Sequence, residues 1–85
     1  MKLEDVLMKY EPHRLTGDRR QCWVDNPDEE VYEFLSQSER DEFWNEAHDV
    51  FFEMYNGDDR IRDDGPGMSD DWSSDGKFYL SIYVR

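Results

Sequence analysis

Four sets of side chains in this 85-residue sequence have the types and spacing that chemistry requires. The first would bind calcium. Asp71, Ser73 and Asp75 offer oxygen ligands at loop positions 1, 3 and 5, followed by Gly76 at 6 and Phe78 at 8. Position 12 is Ile82, where the pattern needs a bidentate Glu, and the segment beyond Gly76 reads as a strand rather than a helix. An Asp-Gly turn leading into a strand accounts for these residues more simply. The second set is His13, His48 and Cys22. His48 lies beside Glu46 and Asp49, but residues one or two apart do not share a helix face. Two histidines without ligand spacing read as surface or capping groups. Cys22 falls in a short apolar stretch after Arg19 and Arg20, with no His placed by a motif to activate it, so it reads as a filler. A lone Cys also excludes an internal disulfide and a Cys-based zinc site. The third set, Gly65-Pro66-Gly67, lacks the Lys and the helix of a phosphate loop and reads as a turn. No catalytic residue, metal or cofactor is assigned, and an enzyme is not expected.

The fourth set is the carboxylates. Residues 25–59 hold thirteen Asp and Glu against one base, Arg40, whereas the rest of the chain has nine acids and nine bases. The whole excess, a net charge of −12, therefore sits in the middle third. Glu42, Glu46, Asp49 and Glu53 recur at i, i+4, i+7 and i+11, which places them within about 60° on one side of a helix. Like charges so spaced destabilise an isolated helix by about 0.2–0.5 kcal/mol per pair. No Lys or Arg lies between Asp41 and Asp59 to offset them. A solvated face that keeps a small protein soluble is the bland account of such a stripe. Segregation this complete favours a surface for a basic partner. The stripe spans about 16 Å, or one charge per ~4–5 Å, against one per ~1.7 Å on duplex DNA. Imitation of nucleic acid thus requires Asp28, Glu29, Glu30, Glu33 and the loop aspartates to lie alongside it.

These groups need elements to position them. Ser38 with Asp41 reads as the start of a helix that runs to about Tyr55 and stops at Asn56-Gly57. Its apolar arc is Phe43, Trp44, Ala47, Val50, Phe51, Met54 and Tyr55, with Phe52 outside it. Leu3, Val6, Leu7 and Tyr10 mark a short amphipathic helix ended by Pro12. Arg19–Val24 reads as a strand by weak alternation. Asn26, Pro27 and Glu29 give cap signals for a helix over 27–36 that buries Val31, Phe34 and Leu35. Residues 57–76, rich in Gly and Asp, read as a long acidic loop, with a short edge strand at Arg60–Arg62. Lys77–Arg85 alternates cleanly, with Phe78, Leu80, Ile82 and Val84 on its apolar side.

The expectation is one small α+β domain over 1–85, with two or three mostly antiparallel strands packed on two or three helices. Acidity disfavours direct contact with nucleic acid or an anionic membrane, and no apolar run is long enough for a signal-peptide core or a membrane span. A cytoplasmic location is the simplest expectation. In size and charge the chain resembles phage-type inhibitors of host defence and nuclease immunity proteins, a likeness of composition alone. The functional expectation is a non-enzymatic binding protein that inhibits or sequesters a basic nucleic-acid-binding protein or nuclease. Glu42, Glu46, Asp49, Glu53, Asp28, Glu29, Glu30 and Glu33 would supply the charge, with Phe52, Trp72 and Tyr79 as candidate apolar anchors. The rival is a regulatory or structural module whose 57–76 loop responds to a ligand such as calcium.

Overall fold

The computed structural model describes residues 2–55 and 66–84. Among these described residues, three helices and a four-stranded antiparallel sheet form a single α+β domain, one strand more than the sequence suggested. The elements are α1 (Leu3–Tyr10), β1 (His13–Arg14), α2 (Gly17–Gln21), β2 (Glu29–Phe34), α3 (Gln37–Met54), β3 (Gly67–Ser74) and β4 (Lys77–Tyr83). The sheet order is β1-β2-β4-β3.

Helix α1 forms as its apolar spacing requires. Asp5 accepts the Lys2 backbone N–H at 2.9 Å, and the helix ends at Glu11, which takes a left-handed φ of 46° before Pro12. Helix α3 begins at Gln37, a little earlier than expected, because Ser36 rather than Ser38 supplies the cap: its Oγ accepts the Glu39 N–H at 3.2 Å. Asn56-Gly57 and Arg60–Arg62 lie outside the described residues.

Two central expectations are overturned. The segment 27–36 is not a helix but the inner strand β2, hydrogen-bonded to β1 on one side and β4 on the other. The Asn26-Pro27 signal is satisfied locally instead: Asn26 Oδ1 accepts the Asp28 N–H at 2.9 Å, a turn that launches the strand. Val31, Tyr32 and Phe34 are buried on alternating faces, whereas Leu35, expected in the core, is 78% exposed. The strand expected over 19–24 is the short helix α2 and the coil after it. Helix α2 buries no residue, and its conformation is held from outside, by Arg20 donating to the carbonyls of Glu29 and Asn26.

The last part of the expected 57–76 loop is also strand. β3 and β4 form a hairpin whose turn, Asp75-Gly76, has φ of 51° and 75°. That geometry belongs to a two-residue hairpin turn and suits Asp-Gly. A bulge between Met68 and Asp70 interrupts the pairing. Residues 57–65 of the proposed loop lie outside the described residues.

The sheet has two unlike faces. Helices α1 and α3 cover one, where Tyr32, Phe34, Leu80 and Ile82 meet Val6, Phe43, Ala47, Val50 and Phe51. Phe43 is the hub, with Tyr10, Tyr32 and Phe34 rings at 5.6–5.8 Å. Burying one such aromatic is worth about 1.5–3 kcal/mol, a large share of a small domain's stability. The other face carries a smaller cluster of Leu15, Val31 and Tyr79, with Val24 and Trp72 against it. Buried Arg40 ties α3 to the β3 edge: its guanidinium donates to the Trp72 carbonyl and to Asp41, each at 3.1 Å, and lies over the Phe78 ring.

Candidate acidic binding face

Helix α3 turns Arg40, Phe43, Ala47, Val50 and Phe51 toward the sheet. The i, i+4, i+7, i+11 stripe consequently faces away from it. Glu42, Asp49 and Glu53 are exposed there. Glu46, on the flank nearest α1, is half-buried: Lys9 Nζ lies 2.9 and 3.2 Å from its two oxygens, and the Tyr10 hydroxyl donates to it. Among the described residues, no base pairs with Glu42 or Asp49. Phe52 is 43% exposed beside the stripe and stacks on His48 at 6.3 Å.

Helix α1 runs antiparallel to α3, with Tyr10 against Phe43 and Glu46 and its first turn near Phe51 and Met54. This brings acids to the same layer that the reading of residues 25–59 passed over. Glu4, Asp5 and Glu11 are exposed on α1 and its cap, beside Glu39, one of the thirteen acids of 25–59, at the start of α3. Among the described residues, the outer helical layer thus bears eight carboxylates, besides the Arg40-paired Asp41, against Lys2 and Lys9. The amphipathic spacing of α1, with Glu4 and Asp5 off its apolar side, was the signal that could have found them.

The β2 acids do not join this layer. Glu29 and Glu33 lie on the sheet face away from α3, with Val31 and Tyr79. Glu29 is buried and accepts from Ser69 Oγ at 2.9 Å. The Glu33 side chain is 9% exposed, 2.7 Å from Arg19 and 3.7 Å from Lys77. Glu30 is on the helical side of the sheet, but Arg14 pairs with it at 3.2 Å and the Tyr32 hydroxyl donates to it. Asp28 is half-buried, and its carbonyl accepts the Val84 N–H at 2.8 Å. Trp72 belongs to the far face too, stacked on Tyr79 at 5.7 Å and 5.4 Å from Trp23. Of the residues singled out in the sequence, the fold therefore unites Glu42, Glu46, Asp49, Glu53 and Phe52.

The sheet acids also act on their neighbours. Burial first, and then the Glu30 carboxylate, hold the Tyr32 phenol well above its ordinary range. Burial and the Glu33 carboxylate raise the Tyr79 phenol in the same way.

Asp71 and Ser73 are strand residues and Asp75 is in the hairpin turn, the simpler of the two readings of that motif. Among the described residues, no group of three His, Cys, Asp or Glu side chains could hold a metal ion. His13 is exposed on β1, and Cys22 is exposed with its Sγ 3.1 Å from the Arg19 carbonyl. No helix among the described residues is long and apolar enough to cross a membrane. Comparisons with protein-family models, curated proteins and solved structures find no match.

Proposed function

We propose that the protein binds a basic protein partner through the outer face of α1 and α3 and, by occupying it, inhibits or sequesters it. The observation that carries this reading is the contrast in pairing. The β2 acids Glu30 and Glu33 are matched by Arg14, Arg19 and Lys77, while Glu42 and Asp49 face solvent with no base on them among the described residues. The self-repulsion along α3 would be relieved by cations from another molecule. Eight carboxylates on one layer would steer a basic protein toward it and make association salt-sensitive. Phe52, at the edge of the stripe, would supply a short-range contact that charge lacks. A nuclease or other nucleic-acid-binding protein has the required basic surface. Nucleic-acid mimicry is not part of the proposal, because Glu29 and Glu33, which it needed beside the stripe, lie on the other side of the sheet.

The test is capture of basic proteins from the native host's lysate at graded salt. Wild-type protein is expected to retain a partner at low salt and release it as salt rises. The triple variant Glu42→Gln, Asp49→Gln, Glu53→Gln should retain much less at every salt concentration. Equal capture by a folded triple variant would refute the assignment.

A further inference from the structure

At the far end of the acidic stripe, the first turn of α1 and the last turn of α3 leave a groove of about 600 Å³ between them, within the ~300–1,000 Å³ range of ligand clefts. Its walls are apolar: Leu3, Leu7, Val50, Phe51, Met54 and Val84. Met54 and Val84 keep 51% and 36% of their surface exposed there, so the groove holds apolar area that the described residues leave uncovered. Glu4, Glu53 and Lys2 stand at its rim, and the described residues of the helical layer around it carry more acids than bases. An apolar group carried on an anion, such as a fatty-acid carboxylate, would meet that field unfavourably. An apolar side chain flanked by Lys or Arg satisfies both the walls and the rim.

We propose that this groove receives a large apolar side chain from a basic amphipathic segment of the partner, so that charge brings the segment in and the groove fixes its register. The inference rests on the helical layer being the docking face, and it assigns the apolar contact to a recess between the helices.

Two synthetic helix-forming peptides of equal length and equal Lys content test it by isothermal titration calorimetry. One carries Leu along its apolar side and the other carries Ala. The Leu peptide is expected to bind at least about ten-fold more tightly. Met54→Trp, which fills the groove, and Met54→Gln, which makes it polar, should abolish that ratio and leave Ala-peptide binding unchanged. Circular dichroism confirms that each variant is folded, and Met54 is exposed enough for both to be tolerated. Glu42→Gln with Asp49→Gln should weaken both peptides alike and preserve the ratio.

A ratio near one in the wild type, or one that survives both Met54 variants, overturns the groove assignment while leaving the acidic-layer reading intact. A preserved ratio with no effect of neutralising Glu42 and Asp49 has the opposite meaning: the groove binds, and the stripe does not. Equal binding of a Leu peptide with Glu in place of Lys would overturn the basic character of the occupant. A dimer in sedimentation velocity that Met54→Trp dissociates would give the groove to a second copy of the chain and overturn the proposal.

Discussion

Glu33 on β2 and Glu42 on α3 are close in sequence and carry the same group, but the fold treats them in opposite ways. Glu33 is enclosed on the far face of the sheet, with Arg19 and Lys77 beside it and the Tyr79 phenol facing it. Glu42 stands in solvent at the head of a column of like charges, with no base among the described residues to offset it. In the sheet, carboxylates help to hold distant segments together. On α3, Glu46 ties the helix to Lys9 and Tyr10 of α1, but Glu42 and Asp49 stand in the column of like charges with no base on them among the described residues. Acidic composition alone does not separate a structural carboxylate from one available to a partner; the counter-charge does.

The largest expected effect breaks the joint between the two regions. Phe43→Ala empties the hub where α1 and α3 meet the sheet and should cost about 3–5 kcal/mol. In a domain of this size that unfolds much of the population, and urea denaturation followed by far-UV circular dichroism measures it.

Next, Glu33→Gln removes the countercharge of Arg19 and Lys77 and should destabilise the protein by about 1–2 kcal/mol. Glu42→Gln, in the same urea assay, should leave stability unchanged or raise it by about 0.2–0.5 kcal/mol by removing a like-charge pair with Glu46. Equal losses from the two substitutions would erase the distinction between the regions.

A third effect belongs to the sheet alone. The folded Tyr32 phenol lies above its unfolded value near 10.0, so its contribution is fully present below about pH 10. Stability should then fall by up to about 1.4 kcal/mol per pH unit as pH rises toward the folded value. Urea midpoints between pH 9 and 11 should show this decline, and Tyr32→Phe should flatten it. The smallest effect belongs to the helices. Added salt screens the α3 repulsion, so the wild-type urea midpoint should rise slightly with ionic strength, and less so after Glu42→Gln with Asp49→Gln.

What was legible in the sequence follows the strength of local periodicity. α1, α3 and β4 were readable because Leu3-Val6-Leu7-Tyr10, Phe43-Ala47-Val50 and Phe78-Leu80-Ile82 repeat at helix or strand spacing. β2 was misread because Asn26, Pro27 and Glu29 are good helix-start residues, and the place that decides the matter, between β1 and β4, is built from distant chain. β3 was hidden because Gly67–Ser74 contains few apolar residues, as an outer strand facing solvent can. The α3 stripe was legible from spacing alone. That Arg14, Arg19 and Lys77 would claim the β2 acids was not, because those pairings join residues well apart in the chain.

The central claim concerns where the charge sits, beyond how much there is. Partner capture by Glu42→Lys, Asp49→Lys, Glu53→Lys tests it most directly against Asp18→Lys, Asp25→Lys, Asp70→Lys, which makes the same change in net charge at exposed acids on α2, its following coil and β3. With both variants folded, the α3 reversal should abolish capture and the other should retain it. Equal loss in the two would show that net charge alone drives binding, and retention by the α3 reversal would contradict the account outright.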